Sequence, residues 1–346
     1  MVQFFPDHAV FIDPSSEHFL GDRLFDASNA FLNRDGTLQP FIRLREQLMA
    51  RGIPVHTADA LREGRVVAKQ NHYWSMGLLN GYQPLQGRDD IRFRGFFLFE
   101  PPLVAPKMYS ALPEISQQFE SVLVHNTIGD GYSLRGVNVN KLEKLDWPQP
   151  YESEVPGAWS RTNRQNKLVV IAGNHNPRFR RPEFYSKRIE AVAQLGKRDA
   201  IDLYGRGWSR RWSRQSAWLP YWRHYRALMQ AYRGSCESKF DVLANYRFSL
   251  CFENMPMTGY LTEKIFDCLY AGTVPIYWGA PDIHSLVPSE AFVDMRDYAG
   301  YDEVCDAVLS MSDRRWQEMR EAGRQFLRTS GRTRYFNSLL HTCGQL

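Results

Sequence analysis

Residues 248–279 read FSLCFENMPMTGYLTEKIFDCLYAGTVPIYWG, and this stretch decides the fold class. It opens on an apolar run, Phe248 to Phe252, that ends in Glu253-Asn254. From Tyr260 to Ala271 the spacing predicts a helix. At about 100° per residue, Tyr260, Glu263, Lys264 and Asp267 gather on one side, and Ile265, Phe266 and Leu269 on the other. Gly272 supplies a C-terminal stop, and Val274 to Trp278 is a second apolar run. Strand, loop, helix, strand is the predicted order. In open α/β sheets ligands bind at the carboxyl ends of strands, where helix N-termini favour phosphates, and Lys264 would add a full charge there.

Outward from this stretch the alternation continues. Strands are predicted at Lys167 to Ala172 and Ala200 to Tyr204, with a helix from Glu183 to Leu195 between them. The N-terminal half shows the same order: strand Ala9 to Ile12, helix Gln39 to Ala50, strand Ile53 to His56, strand Gly95 to Phe99, a helix from Lys107 to Phe119 interrupted at Pro113, and strand Ser121 to His125. Between them, Leu145 to Asn166 is polar and proline-rich, as a linker would be. The expectation is an α/β protein of two domains, residues 1–155 and 156–346, which suits 346 residues.

Hydrophobic residues at 43% and charged residues at 23% exclude disordered and fibrous classes. A net charge of +5 favours an anionic ligand without demanding a nucleic acid. The five cysteines show no C-x-x-C spacing, so reduced thiols are expected and not a zinc or redox pair. The opening MVQFFPDHAV lacks the basic and apolar regions of a secretion signal, and no segment approaches the roughly 18 apolar residues of a membrane span.

Phe252-Glu253-Asn254, Gly259-Tyr260-x-Thr262-Glu263-Lys264-Ile265-x-Asp267 and Ala271 to Gly279 together resemble the signature of the α-1,3-fucosyltransferases. A second block, Val170 to Asn174, then Arg181-x-x-Phe184-Tyr185, then Ile201 to Gly205, resembles the same family in the same order. The resemblance runs from about Leu168 to Asp282. It implies a GT-B fold, two facing Rossmann-like domains, with GDP-fucose bound in the C-terminal domain. Arg181 and Lys264 would hold the donor phosphates, Glu263 the ribose hydroxyls, and Tyr260 would line the site. Glu253, Asn254, Asn174 and Tyr204 complete the expected donor set, while Arg178 and Arg180 read as solvated surface. Arginine offers phosphate a bidentate fork and lysine a compact charge, which is what a diphosphate leaving group requires.

Inverting transfer needs a base for the acceptor hydroxyl. The family's base is a glutamate at a strand end in the N-terminal domain, and Phe97-Leu98-Phe99-Glu100-Pro101-Pro102 resembles that element; Glu100 is expected to face Lys264 across the cleft, with Glu114, Glu120 and Asp130 in reserve. There is no D-x-D motif, H-E-x-x-H or P-loop lysine, so no metal and no cofactor beyond the donor substrate are expected. The partners implied are a nucleotide-sugar donor and a glycan acceptor, in a cytoplasmic, bacterial-type enzyme. Two alternatives stand beside this reading: the same fold using another nucleotide sugar, and a non-catalytic glycan-binding protein.

Residues 206–226 depart from the family pattern. Four of the nine tryptophans fall there, interleaved with arginine. Such a segment could stack on acceptor sugars, make peripheral contact with a membrane, touch nucleic acid, or be a packed helical insertion with a basic exposed side. The modest net charge argues against a nucleic-acid partner.

Overall fold

The structure is a computed structural model that describes residues 6–77, 81–177, 181–210 and 218–345. The chain splits into two compact units, Met1–Pro150 with Thr333–Leu346, and Tyr151–Arg332. The boundary falls just ahead of the expected one, and the C-terminal residues belong to unit 1 instead of continuing the second domain.

Unit 1 is built on a parallel sheet of β1 (His8–Asp13), β2 (Val55–Thr57), β3 (Gln70–Ser75), β4 (Ile91–Phe97), β5 (Ser121–Val124) and β6 (Leu142–Lys144), ordered β2-β1-β3-β4-β5-β6. Its helices are α1 (Gln39–Met49), α2 (Asp59–Arg62), α3 (Pro106–Ser110) and α4 (Leu112–Gln118). Alternate residues of β1 serve different cores: Phe11 joins Tyr73, Phe93 and Phe119, while Val10 and Ile12 join Trp74 and Phe97. A sheet covered on both faces needs such unbroken apolar strands. The interruption predicted near Pro113 is the break between α3 and α4.

Unit 2 repeats the plan with β7 (Gln165–Ile171), β8 (Ile201–Tyr204), β9 (Tyr232–Gly234), β10 (Tyr246–Phe252), β11 (Val274–Trp278) and β12 (Val293–Asp294), ordered β12-β11-β10-β7-β8-β9 and parallel throughout. Around the sheet lie α5 (Pro156–Trp159), α6 (Tyr185–Gly196), α7 (Leu219–Ala231), α8 (Lys239–Leu243), α9 (Glu263–Ala271), α10 (Tyr301–Leu309) and α11 (Asp313–Phe326). A last helix, α12 (Ser338–Cys343), places Leu339 and Cys343 in the unit 1 core.

From β7 the chain proceeds outward through β8 and β9 on one side, and from β10 through β11 and β12 on the other. β7 and β10 therefore flank a topological switch point, the place where open α/β sheets leave a crevice at the strands' carboxyl ends. In unit 1 the corresponding pair is β1 and β3.

The helix predicted from Tyr260 begins at Glu263, so Tyr260 stands in the preceding loop and the polar face drawn through it does not form. Asp267, also assigned to that face, is ion-paired with Lys239 at 2.7 Å. Gly272 ends α9 in the left-handed conformation, φ 69°, as expected of a C-terminal glycine. Segment 206–226 supports the packed insertion as far as it is described. Trp208 is buried, its indole N–H donating to the Ala172 carbonyl at 2.7 Å, and Trp218 and Trp222 pack against the core. Trp212 lies outside the described residues.

Candidate active site

The site of unit 2 is assembled around a buried carboxylate. Glu253 follows β10 at zero exposure, and its main-chain N–H donates to the Trp278 carbonyl at 2.8 Å. Its carboxylate accepts from the Thr262 N–H at 3.0 Å, the Thr262 hydroxyl at 2.9 Å and the Lys264 ammonium at 3.0 Å. An isolated buried carboxylate would be expensive, and these three donors, one of them charged, compensate it. They also cap α9, because the carboxylate takes an N–H at the helix start. The space exists because residue 279 is glycine: a Cβ there would lie 2.6 Å from Cγ of Glu253 and 2.2 Å from the Tyr277 hydroxyl. Glu253 thus positions other groups, a correction to its expected place facing the donor.

Lys264 is the group so positioned. Its ammonium also donates to the Thr262 hydroxyl at 2.9 Å and lies 3.6 Å from Glu263, with 26% of the side chain exposed. Burial pushes its pKa down, but Glu253 and Glu263 outweigh burial and hold it above the ordinary lysine value, so it stays charged. For Glu263, burial pushes upward and is outweighed by Lys264 and Lys239, leaving the carboxyl below its usual range. One fixed cation and one fixed, part-exposed carboxylate therefore stand side by side at the start of α9, at the carboxyl end of β10.

Across the switch point, Asn174 follows β7. It is 4% exposed, its main-chain N–H donates to the Arg206 carbonyl at 2.9 Å, and its Oδ1 is buried without a hydrogen-bond partner among the described residues. That oxygen can accept from a ligand's N–H or O–H. Asn254 is half-buried and its amide donates to the hydroxyl of buried Tyr260 at 3.2 Å. The Phe184 N–H donates to the Asn254 carbonyl at 2.9 Å, fixing the start of α6 to the loop after β10. Arg181, three residues ahead of that anchor, is exposed. Arg178 and Arg180 lie outside the described residues.

Tyr204 departs from the expected set. Its hydroxyl lies 3.4 Å from that of Tyr246, which opens β10 and donates to Asp202 at 2.8 Å. The side chain thus runs back along the sheet and away from the strand ends, where a donor would sit.

Arg188 is the residue that sequence reasoning missed. It is 5% exposed on α6 and donates to the carbonyls of Phe252 at 2.6 Å and Glu253 at 3.3 Å, with its guanidinium carbon 5.5 Å from the Tyr185 ring centre. It therefore ties the turn after β10 to α6. A signal was present: with Tyr185, Ile189 and Val192 it occupies positions i, i+3, i+4 and i+7, an arginine in an apolar stripe.

In unit 1, β4 ends at Phe97, and Glu100 follows as an exposed residue at the carboxyl end of the sheet. The approach to it is fixed by His125, whose Nε2 lies 2.7 Å from the Phe99 carbonyl and whose ring stacks with Trp147. Of the reserves, Glu120 precedes β5 and pairs with Arg92 and Arg94, each at 2.8 Å, at the amino end of the sheet; that position removes it as a base. Glu114 accepts from the Tyr82 hydroxyl at 3.0 Å in the first turn of α4, and Asp130 lies in the loop after β5. Among the described residues no three His, Cys, Asp or Glu side chains converge as a metal site would require.

Comparison with known proteins adds a family to this geometry. Residues 163–321 match the family model described as glycosyltransferase family 10 (fucosyltransferase), C-terminal. Over 72 residues the chain is 40% identical to an alpha-(1,3)-fucosyltransferase, FucT, of Helicobacter pylori, covering 21% of this chain and 15% of that protein. Over 79 residues it is 38% identical to human alpha-(1,3)-fucosyltransferase 7, covering 22% and 23%. These alignments span less than a quarter of each relative. Among solved structures, an alpha1,3-fucosyltransferase superposes with TM-score 0.52 at 14% identity, covering 99% of this chain and 92% of that one. A sucrose-phosphate synthase from Thermosynechococcus elongatus superposes with TM-score 0.62 at 12% identity and 98% coverage of both. The likeness shows the GT-B fold, in accord with the two six-stranded parallel sheets. The segment 163–321, which carries Glu253, Glu263 and Lys264, is thus similar to the C-terminal domain of glycosyltransferase family 10, the fucosyltransferases.

Proposed function

We propose that the protein is an inverting glycosyltransferase that moves L-fucose from GDP-fucose to a hydroxyl of a glycan acceptor, forming an α-1,3 linkage. The observation that carries this reading is the Glu253-Thr262-Lys264 arrangement, which holds a charged ammonium beside Glu263 at the switch point. In the reaction the acceptor oxygen forms a bond to the anomeric carbon while the bond from that carbon to the diphosphate breaks. Lys264 and Arg181 compensate the charge that develops on departing GDP. Glu263 accepts from the ribose hydroxyls, and Asn174, Asn254 and Tyr260 line the nucleotide site. Glu100 takes the acceptor's proton. The protein would work without a metal ion, in a cytoplasm whose reducing state suits five free cysteines, four of them buried.

The test is turnover with a panel of nucleotide sugars, each offered with glycan acceptors, read as nucleotide released and product linkage. GDP release dependent on an acceptor, with a β-linked donor giving an α-linked product, supports the reading. Turnover of another nucleotide sugar in place of GDP-fucose would reassign the donor, and glycan binding without any turnover would leave a non-catalytic binder.

A further inference from the structure

Between Asp202 and Glu237 every formally charged side chain is an arginine, although the whole chain carries a net charge of only +5. The positive field is therefore concentrated on one segment of unit 2. Helix α7, within it, contains no acidic residue. Its buried positions are Tyr221, Leu228 and Ala231. At about 100° per residue the opposite arc holds Leu219, Trp222, Arg223, Arg226 and Gln230. Arg223, Arg226 and Gln230 are exposed, and Leu219 is 78% exposed. Among the described residues six large apolar side chains are left exposed, and Leu219 is the one that belongs to unit 2. Beside this stripe an open depression of about 640 Å³ is lined by Lys197, Trp222, Arg223, His224, Arg226 and Gln230.

A helix with one face packed on its own domain and the other carrying arginines and an exposed leucine, with partly buried Trp222 at its margin, matches the chemistry of a bilayer interface. There the guanidinium groups meet lipid phosphates, and the apolar side chains enter the headgroup boundary. A polynucleotide would be served by the arginines alone and would give Leu219 no partner. We infer that the outward face of α7 is a docking surface for a bilayer carrying anionic phospholipid. The residues involved are distinct from those assigned to the donor, so the inference does not depend on the proposed reaction.

The experiment is co-sedimentation of the full chain with phosphatidylcholine vesicles containing phosphatidylglycerol, and with phosphatidylcholine vesicles alone, at low and high salt. Partition onto the anionic vesicles alone, weakening as salt rises, is expected. Replacing Arg223→Glu and Arg226→Glu together should lower that partition by on the order of tenfold, and Leu219→Ser by a smaller factor. Thermal unfolding at the wild-type temperature checks that the variants fold. Arg223→Gln with Arg226→Gln, which removes the charge without reversing it and keeps a polar side chain, gives the same reading if charge reversal disturbs packing. Equal partition onto both vesicle types, an unaltered partition of the charge variants, or binding to a single-stranded oligonucleotide without binding to vesicles would each overturn the inference.

Discussion

At the switch point of unit 2 the central strands lead into Asn174 and Glu253, whereas at that of unit 1 they end in Asp13 and Ser75. Both crevices thus contain a fully buried carboxylate. Asp13 accepts from the Tyr73 hydroxyl and from Arg62 at 3.2 Å, and burial pushes its pKa up in spite of these partners. Arg62 also donates to the Gly81 carbonyl at 3.1 Å, so this cluster fastens the chain beyond β3. Glu253 is used differently: it fastens α9 and holds Lys264 part-exposed and charged. Under the proposed reaction two copies of one architecture divide the chemistry, with a fixed cation in unit 2 and an exposed carboxylate, Glu100, one strand away from the switch point in unit 1.

The division is broken most severely at Glu100. General-base catalysis contributes roughly 10² to 10⁴ in rate, so Glu100→Gln should lower kcat by that order with GDP affinity unchanged. Size is preserved and the proton acceptor is lost. Steady-state kinetics beside calorimetric titration with GDP reads both halves; a variant that turns over normally moves the base to Glu114 or Asp130.

Next in size are the two cations of unit 2, which the structure distinguishes. Charge-assisted hydrogen bonds contribute roughly 1.5 to 3 kcal/mol, so Lys264→Ala and Arg181→Ala should each weaken GDP binding by tenfold or more. Lys264→Ala should also lower stability, because it takes a charged donor from the buried Glu253 carboxylate, whereas Arg181 is exposed and its loss should cost less. Denaturant unfolding of the two variants in parallel measures this. Equal stability would show that the Thr262 donors alone satisfy Glu253.

How much of this was legible in the sequence follows the same line between the units. Strand β11 occupies Val274–Trp278 as read, and β10 and β7 differ from the reading only at their ends, because their apolar runs are unbroken. Strand β3, QNHYWS, gave no such signal: Asn71, His72 and Ser75 are polar yet buried, and Asn71 is satisfied by Asp90. Their pairing depends on residues distant in sequence. The start of α9 was misplaced for a related reason, since its cap is Glu253, nine residues before Thr262, and no local pattern reports such a bond. The resemblance supplied Glu263 and Lys264, while Tyr204 could be placed only once the direction of its side chain was seen.

A smaller effect separates the units in acid. His72 is buried on β3 with its Nε2 3.0 Å from Nδ1 of His8; burial, then Arg94, His8 and Arg92, push its pKa down to about 4. The unfolded value is higher, near 6.5. The unfolded state therefore binds more protons between these values, and the neutral imidazole's contribution is complete above that upper value and lost as pH falls toward about 4. The loss should reach at most about 1.4 kcal/mol per pH unit. Hydrogen exchange, corrected for its intrinsic pH dependence, should show β1 and β3 opening more readily at pH 5 than at pH 7. A loss of protection no greater than in β7 and β10 would take His72 out of the account.

The smallest expected effect is none. Charge on a departing diphosphate can be compensated by a bound divalent ion or by cations the protein holds in place. In the proposed reaction unit 2 supplies the second means: Lys264 is fixed by Glu253 and Thr262 and kept protonated by Glu253 and Glu263, and exposed Arg181 precedes the anchored start of α6. Turnover should accordingly survive EDTA, measured as GDP released over time with and without the chelator. Complete loss, restored by Mg²⁺, would mean that the cations of unit 2 do not suffice for the leaving group. The contrast between the units would then have to be redrawn around a metal ion held with the donor.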